Sequence, residues 1–156
     1  MDKTKAVLQF LQTCPYLKED SLFFNFGNIK DNAHQLMTTS NDVALHTPYI
    51  DGSVLRRYEL SIDSFKSVTY NSVIENKSAE NVDEFESVQQ LLDWIEEQDT
   101  YQNYPDFGER FQIDKMHTLT TQPELLDVDT SVEPPMAIYR ITIQIDYLDS
   151  TKSVII

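Results

Sequence analysis

A chain of 156 residues is long enough to bury about 70% of its unfolded surface in one core, and 40% apolar residues with only three glycines argue against a disordered or low-complexity chain. Its 26 acidic and 12 basic residues leave a formal charge of −14, which repels phosphate backbones and argues against direct nucleic-acid binding. One cysteine, Cys14, excludes an intrachain disulfide and a multi-cysteine metal centre, and no apolar run approaches the ~20 residues of a membrane span.

In chain order, Val7, Leu8 and Leu11 recur at helical spacing with Phe10 beside them, and Pro15 stops propagation, so an amphipathic helix is expected over residues 3 to 13. Lys3 and Lys5 ahead of an apolar run ending at Cys14 also have the look of a secretion leader, but Gln9 and Gln12 interrupt that run. The helix is the preferred reading, and with it a soluble, unexported chain whose Cys14 is a half-buried core thiol. "SLFFNFGNI", 21 to 29, alternates at Leu22, Phe24 and Phe26 and reads as a strand ending near Gly27, with a second strand at about 33 to 39.

Pro48 and the Asp51-Gly52 pair signal a turn, after which Tyr58, Leu60 and Ile62 alternate with Arg57, Glu59, Ser61 and Asp63. The parity shift to Phe65 predicts a bulge or an early strand end after Asp63. Asn81 with Glu84 three residues on resembles a helix-capping signal, and Phe85, Val88, Leu91, Leu92 and Ile95 form a stripe on a helix ending near Gln98. Its outer face is expected to carry Glu84, Glu86, Asp93, Glu96 and Glu97, with the last-turn acids opposing the helix dipole. From Glu75 to Glu109 there are eleven acids and one lysine, so one face or edge is strongly negative.

"RFQIDKMHTLTT", 110 to 121, reads as a strand and "QPELLDVDTSVEPP", 122 to 135, as a loop, the long tip of a hairpin whose second strand is "AIYRITIQIDYL", 137 to 148. There Ala137, Tyr139, Ile141, Ile143, Ile145 and Tyr147 share one face, while Arg140, Thr142, Gln144 and Asp146 take the other. The sum is one α+β domain, residues 1–150, in which a mainly antiparallel sheet carries two amphipathic helices packed on one face, followed by a C-terminal tail, 151–156. No internal repeat or linker divides it.

Reactive centres are hard to find in this pattern. His34, His46 and His117 lie apart and outside any metal-binding spacing, and read as ordinary surface or strand histidines. Asp127 and Asp129 lack the further ligands and turn glycine of a calcium loop, and there is no G-x-S-x-G elbow or glycine-rich phosphate loop. The expectation is no catalytic residue, no metal and no cofactor. Arg56 and Arg57 beside Tyr58 are a candidate interface spot, although a solvated strand face is the commoner role of such a pair.

Taken in order, "FLQTCPYL", "YIDGSVLRRYELSIDS", "LLDWIEEQ", "MHTLTTQPELLDVD" and "AIYRITIQIDYLD" resemble the minor capsid proteins, grouped with tail terminators, of tailed phages and prophages of Gram-positive bacteria. The resemblance covers nearly the whole chain and rests on the combination of "WIEEQ" with the later "LTTQPELLD" and a final "YRITI" strand. It implies a small α+β, tail-terminator-like fold and a structural, non-enzymatic protein of the virion tail or neck, made in the host cytoplasm. Such a protein forms a ring, commonly a hexamer, that ends tail-tube polymerisation and supports head-tail joining. The implied partners are further copies of the chain, the major tail tube protein and the head connector protein, with neither membrane nor specific nucleic-acid binding, although DNA passes through the ring. Within that reading Tyr139 and Arg140 join Arg56, Arg57 and Tyr58 as interface candidates, and Glu84, Glu86, Asp93, Glu96 and Glu97 are candidates for an acidic lumen that keeps phosphates mobile. The alternatives are a head-completion or connector protein of the neck and, from another class, a small soluble ligand-binding module or enzyme.

Overall fold

The structure, a computed structural model, describes residues 2–17, 20–25, 30–68 and 78–153. Within them run α1 (Lys3–Leu11), β1 (Ser21–Phe24), β2 (Ala33–Ala44), β3 (Val54–Ser67), α2 (Ser78–Thr100), β4 (Phe111–Thr118), β5 (Glu124–Asp129) and β6 (Met136–Asp149). The six strands form one sheet in the order β1-β2-β3-β6-β4, with β5 pairing β6 end to end with β4. Only the β1–β2 pair is parallel. This is the expected α+β architecture, mostly antiparallel with both helices on one face.

The alternation of β6 decides which face is dry. Ala137, Tyr139, Ile141, Ile143, Ile145 and Tyr147 are all buried, together with Leu60 and Ile62 of β3 and Leu36 of β2. Against them lie Val7, Phe10 and Leu11 of α1 and Val88, Leu91, Leu92 and Ile95 of α2, with Phe10 and Trp94 ring to ring at 5.2 Å. Asp2 caps α1 by accepting the Thr4 N–H at 2.9 Å. The helix ends at Leu11 rather than 13, because Thr13 and Cys14 turn their N–H groups to Phe10 and Leu11, three residues back, ahead of Pro15. Cys14 is fully buried, not half-buried, and burial pushes its thiol up.

Several sequence expectations change. β2 runs five residues past the expected 39, to Ala44, and the register shift lies in it, between Thr38 and Asp42, rather than in β3. β3 pairs β6 without interruption from Val54–Asp149 to Ser67–Met136, so no bulge follows Asp63. Phe65 keeps strict parity and lies on the face opposite the helices, where Ala33, Met136 and Ile138 form a second, small apolar cluster around it. α2 begins at Ser78, so Asn81 lies within the first turns rather than capping them. The stretch expected as an open loop, 122–135, contains β5, whose Leu125 faces Tyr139 and Val128 faces Ala137 on β6. β4 and β6 do pair antiparallel, as expected. The part of the first strand expected beyond Asn25, to Gly27, lies outside the described residues.

Candidate functional site

The sheet face without helices carries a ladder of paired polar groups. Antiparallel register sets Arg57 opposite Asp146, Glu59 opposite Gln144, Ser61 opposite Thr142 and Asp63 opposite Arg140. Arg57 grips Asp146 through two bonds, Nε at 2.7 Å and Nη2 at 3.0 Å, and Arg140 grips Asp63 in the same forked way at 2.8 and 3.0 Å. Gln144 donates to Glu59 at 3.0 Å and meets His117 Nε2 at 2.8 Å, while Lys115 approaches Asp146 at 3.9 Å. The ladder is dense enough to hide its acids, since the Asp146 and Asp63 side chains are 2% and 8% exposed beneath guanidiniums that are 30% and 33% exposed. Bonding to the carboxylate strengthens each guanidinium's hold on its proton.

The interface candidates therefore divide. Arg57 and Arg140 lie on this open face with their cationic groups engaged laterally, and Arg56 is bonded to Asp149 at 3.1 Å at the other end of the pair. Tyr58 and Tyr139 do not join them. Both take core parity: Tyr58 shares a hydrogen bond with Thr4 of α1 and meets Phe107 edge-on at 5.9 Å, and Tyr139 meets Phe85 at 5.7 Å. Burial raises both phenols and removes Tyr139 from any surface a partner would touch.

The acids of α2 also divide. Glu86, Asp93 and Glu97 are exposed, whereas Glu84 is half-buried and Glu96 leaves the outer face altogether. Glu96 accepts the Thr118 N–H at 2.6 Å, and Asp99, one turn on, accepts the Met116 N–H at 2.8 Å. β4 is an edge strand, and residues two apart point their N–H groups to the same side. Two helix carboxylates thus occupy backbone donors that another strand would need. Asp99 also accepts the Tyr104 hydroxyl at 2.7 Å, and burial with that carboxylate pushes Tyr104 up to about 12.

One titratable chain runs through the interior. His34 is buried on β2, its Nδ1 2.7 Å from Ser64 Oγ and its Nε2 2.8 Å from an Asp20 carboxylate oxygen. The three residue types match a nucleophile, a base and an orienting acid, but Ser64 is 0% exposed, so no substrate carbonyl can reach it. Burial lowers His34, with the Asp20 bond opposing that shift. His34 is thus a strand histidine, as expected, but a buried and bonded one; His46 sits in an exposed loop, and His117, on β4, belongs to the ladder. Asp127 and Asp129 spend carboxylate oxygens on the N–H groups of Val128 and Ser131, and among the described residues no group of three or more His, Cys, Asp or Glu could hold a metal ion.

The most exposed apolar feature is the arm formed by the end of β2, the start of β3 and the loop between them. Val43, Leu45, Tyr49 and Ile50 are all exposed, and Ile50 at 109% has no cover at all. The loop is nevertheless built: Tyr49 N–H donates to Ser53 at 2.8 Å, Asp51 accepts both the N–H and the hydroxyl of Ser53, and the His46 and Tyr49 rings meet edge-on at 4.9 Å. Gly52 adopts φ +91°, and a Cβ there would sit 2.5 Å from the Lys152 carbonyl oxygen, so the loop packs directly on the chain after β6. At its foot a pocket of about 320 Å³ is lined by Tyr49, Leu55, Gln112, Asp114 and Leu148.

The fold and these surfaces define a class, an α+β protein whose helix-free sheet face spends its polar groups on one another. Compared with known proteins, the chain matches no protein-family model and no curated protein. Sequence reasoning missed the acids that hold Arg57 and Arg140, yet a signal existed. "RYELSID" read against "RITIQID" reversed places Arg57 on Asp146 and Asp63 on Arg140, a charge match that selects the register.

Proposed function

We infer that this chain is a virion structural protein of the phage tail or neck, one that assembles as a ring on the tail tube, stops its polymerisation and supports joining to the head. The observation that carries this reading is the pairing of an internally satisfied sheet face with a hydrogen-bonded, exposed apolar arm, a distribution suited to contact between protein molecules rather than to turnover. The motif resemblance supplies the particular assembly. In that assembly Glu86, Asp93 and Glu97, the three lumen candidates of α2 left exposed, face the DNA channel and keep phosphates hydrated and mobile. Their partners outside the ring are the major tail tube protein and the head connector.

The test is deletion of the gene from its phage or prophage, followed by negative-stain imaging. Overlong tails are the expected result. Tails of normal length unjoined to full heads assign the chain to head completion or the connector instead, and normal infectious virions overturn both assignments. In the complemented phage, lysine at Glu86, Asp93 and Glu97 together slows DNA ejection if these acids line the channel; unchanged ejection removes them from it.

A further inference from the structure

A fully exposed isoleucine on a loop held by its own hydrogen bonds is costly to leave in water and cheap to bury, because its geometry is already fixed. The same molecule offers a place for it. Between α1 and β1 lies a notch of about 190 Å³ lined by Asp2, Thr4, Lys5, Leu8 and Phe24, and almost all of its accessible wall is apolar. The notch has room for one branched aliphatic side chain. Phe24, 43% exposed, is its outer wall and Leu8 its floor against the core.

Charge fixes which way the two pieces meet. Asp51 follows Ile50 at the arm's tip, with one carboxylate oxygen taken up by Ser53 and the other only 3.5 Å from the Ser153 hydroxyl. On the notch rim the Asp2 carboxylate is spent capping α1, where the helix dipole compensates it, whereas the exposed Lys5 forms no ion pair among the described residues. For a chain carrying −14, an exposed cation with no ion pair among the described residues, beside an apolar notch, is the complement of an acid beside an apolar knob.

We propose that Ile50 of one copy inserts into the Leu8–Phe24 notch of the next, with Asp51 meeting Lys5. The two patches differ, so the contact is head-to-tail and generates a closed ring or an open filament rather than a two-fold dimer. The inference rests on the ring reading above and names the surface through which copies of the chain contact one another.

The experiment is disulfide trapping on the full-length chain, feasible because the native Cys14 is buried. Ile50→Cys and Phe24→Cys proteins are purified separately, concentrated alone or as a mixture, and oxidised. The mixture gives a linked dimer on a non-reducing gel, each protein alone gives none, and a chain with both substitutions gives a ladder of multimers. Lys5→Glu, a change at an exposed position, cuts the yield of the mixture severalfold. The proposal is overturned if neither this mixture nor one of Asp51→Cys with Lys5→Cys, which keeps Ile50 and Phe24, cross-links, or if Ile50→Cys cross-links equally well alone. Overlong tails on gene deletion together with failed trapping leave the terminator reading standing and remove this contact; trapped dimers with normal virions on deletion do the reverse.

Discussion

Arg57 and Asp146 are bonded twice to each other but are not equally buried, and that asymmetry makes a sharp prediction. Arg57→Met strands Asp146, 2% exposed, with Lys115 at 3.9 Å as its remaining cationic neighbour, and Lys115 is itself 54% exposed. Removing one partner of a buried pair costs about 3–5 kcal/mol. Residual attraction from Lys115 and the 30% exposure of Arg57 place this case at the low end, about 3 kcal/mol. Asp146→Asn keeps an acceptor for the guanidinium and leaves Arg57, already partly in water, to rehydrate, at about 1 kcal/mol. For a domain of this size each kcal/mol moves the midpoint by about 2–4 °C, so Tm falls about 6–12 °C in the first variant and about 2–4 °C in the second.

pH separates this account from simple loss of packing. A buried carboxylate without a cation relieves its cost by taking up a proton, and the folded state then binds that proton more readily than the unfolded chain. The deficit of Arg57→Met relative to the native chain therefore shrinks as pH is lowered from 7 to 5, while that of Asp146→Asn lacks this term. Urea denaturation followed by circular dichroism at the two pH values measures both. Equal costs for the two substitutions, or a deficit in Arg57→Met that does not move with pH, would refute the claim that Asp146 is the desolvated member of the pair.

The helix carboxylates on the β4 edge give a second prediction. Glu96→Ala and Asp99→Ala each leave one backbone N–H, of Thr118 and Met116, without its acceptor; each costs about 1–2 kcal/mol in thermal denaturation, and the double variant self-associates in sedimentation because the edge is open. A double variant that stays as monodisperse as the native chain would show that these carboxylates do not guard the strand. A third concerns His34, which burial lowers from its ordinary 6.5. As pH falls through that value the unfolded chain takes the proton first, so the stability His34 contributes is full above about 6.5 and is lost progressively below it. Asp20 and Lys66 are the charged groups acting on it, and Glu84, raised by burial, works in the opposite sense at lower pH, so the decisive quantity is the native chain minus His34→Gln. That difference narrows between pH 7 and 5; a constant difference would contradict the assignment.

How much of this the sequence discloses depends on whether a feature is periodic or relational. Period-two alternation in β3 and β6 and the 3.6 period of both helices specify the sheet, its dry face and the side that the helices cover, because each residue's role follows from its own position. β5 escaped that reading since "ELLDVD" carries two adjacent leucines around a register shift and its edge position lets Leu125 and Leu126 stay exposed. Phe65 misled for the opposite reason: its parity was correct, and the apolar cluster it joins on the far face is assembled from β2 and β6, out of reach of any local pattern.

The polar half of the molecule is relational throughout. Arg57 has the same local signature whether it faces water, a partner or Asp146, and only the cross-strand register decides among them. Glu96 and Glu97 are neighbours in sequence with identical chemistry, yet one binds the edge of β4 and the other faces solvent, because a helix turns 100° per residue and the sheet lies on one side of it. The opposite holds for Ile50. An isolated isoleucine after "HTPY" carries no periodic signal, and its meaning arises from the hydrogen-bonded loop that presents it and from its full exposure among the described residues. The wet face of β6 is thus not bare: its charges hold the strands to one another, while the arm, the Leu8–Phe24 notch and the outer acids of α2 stay exposed to meet another molecule.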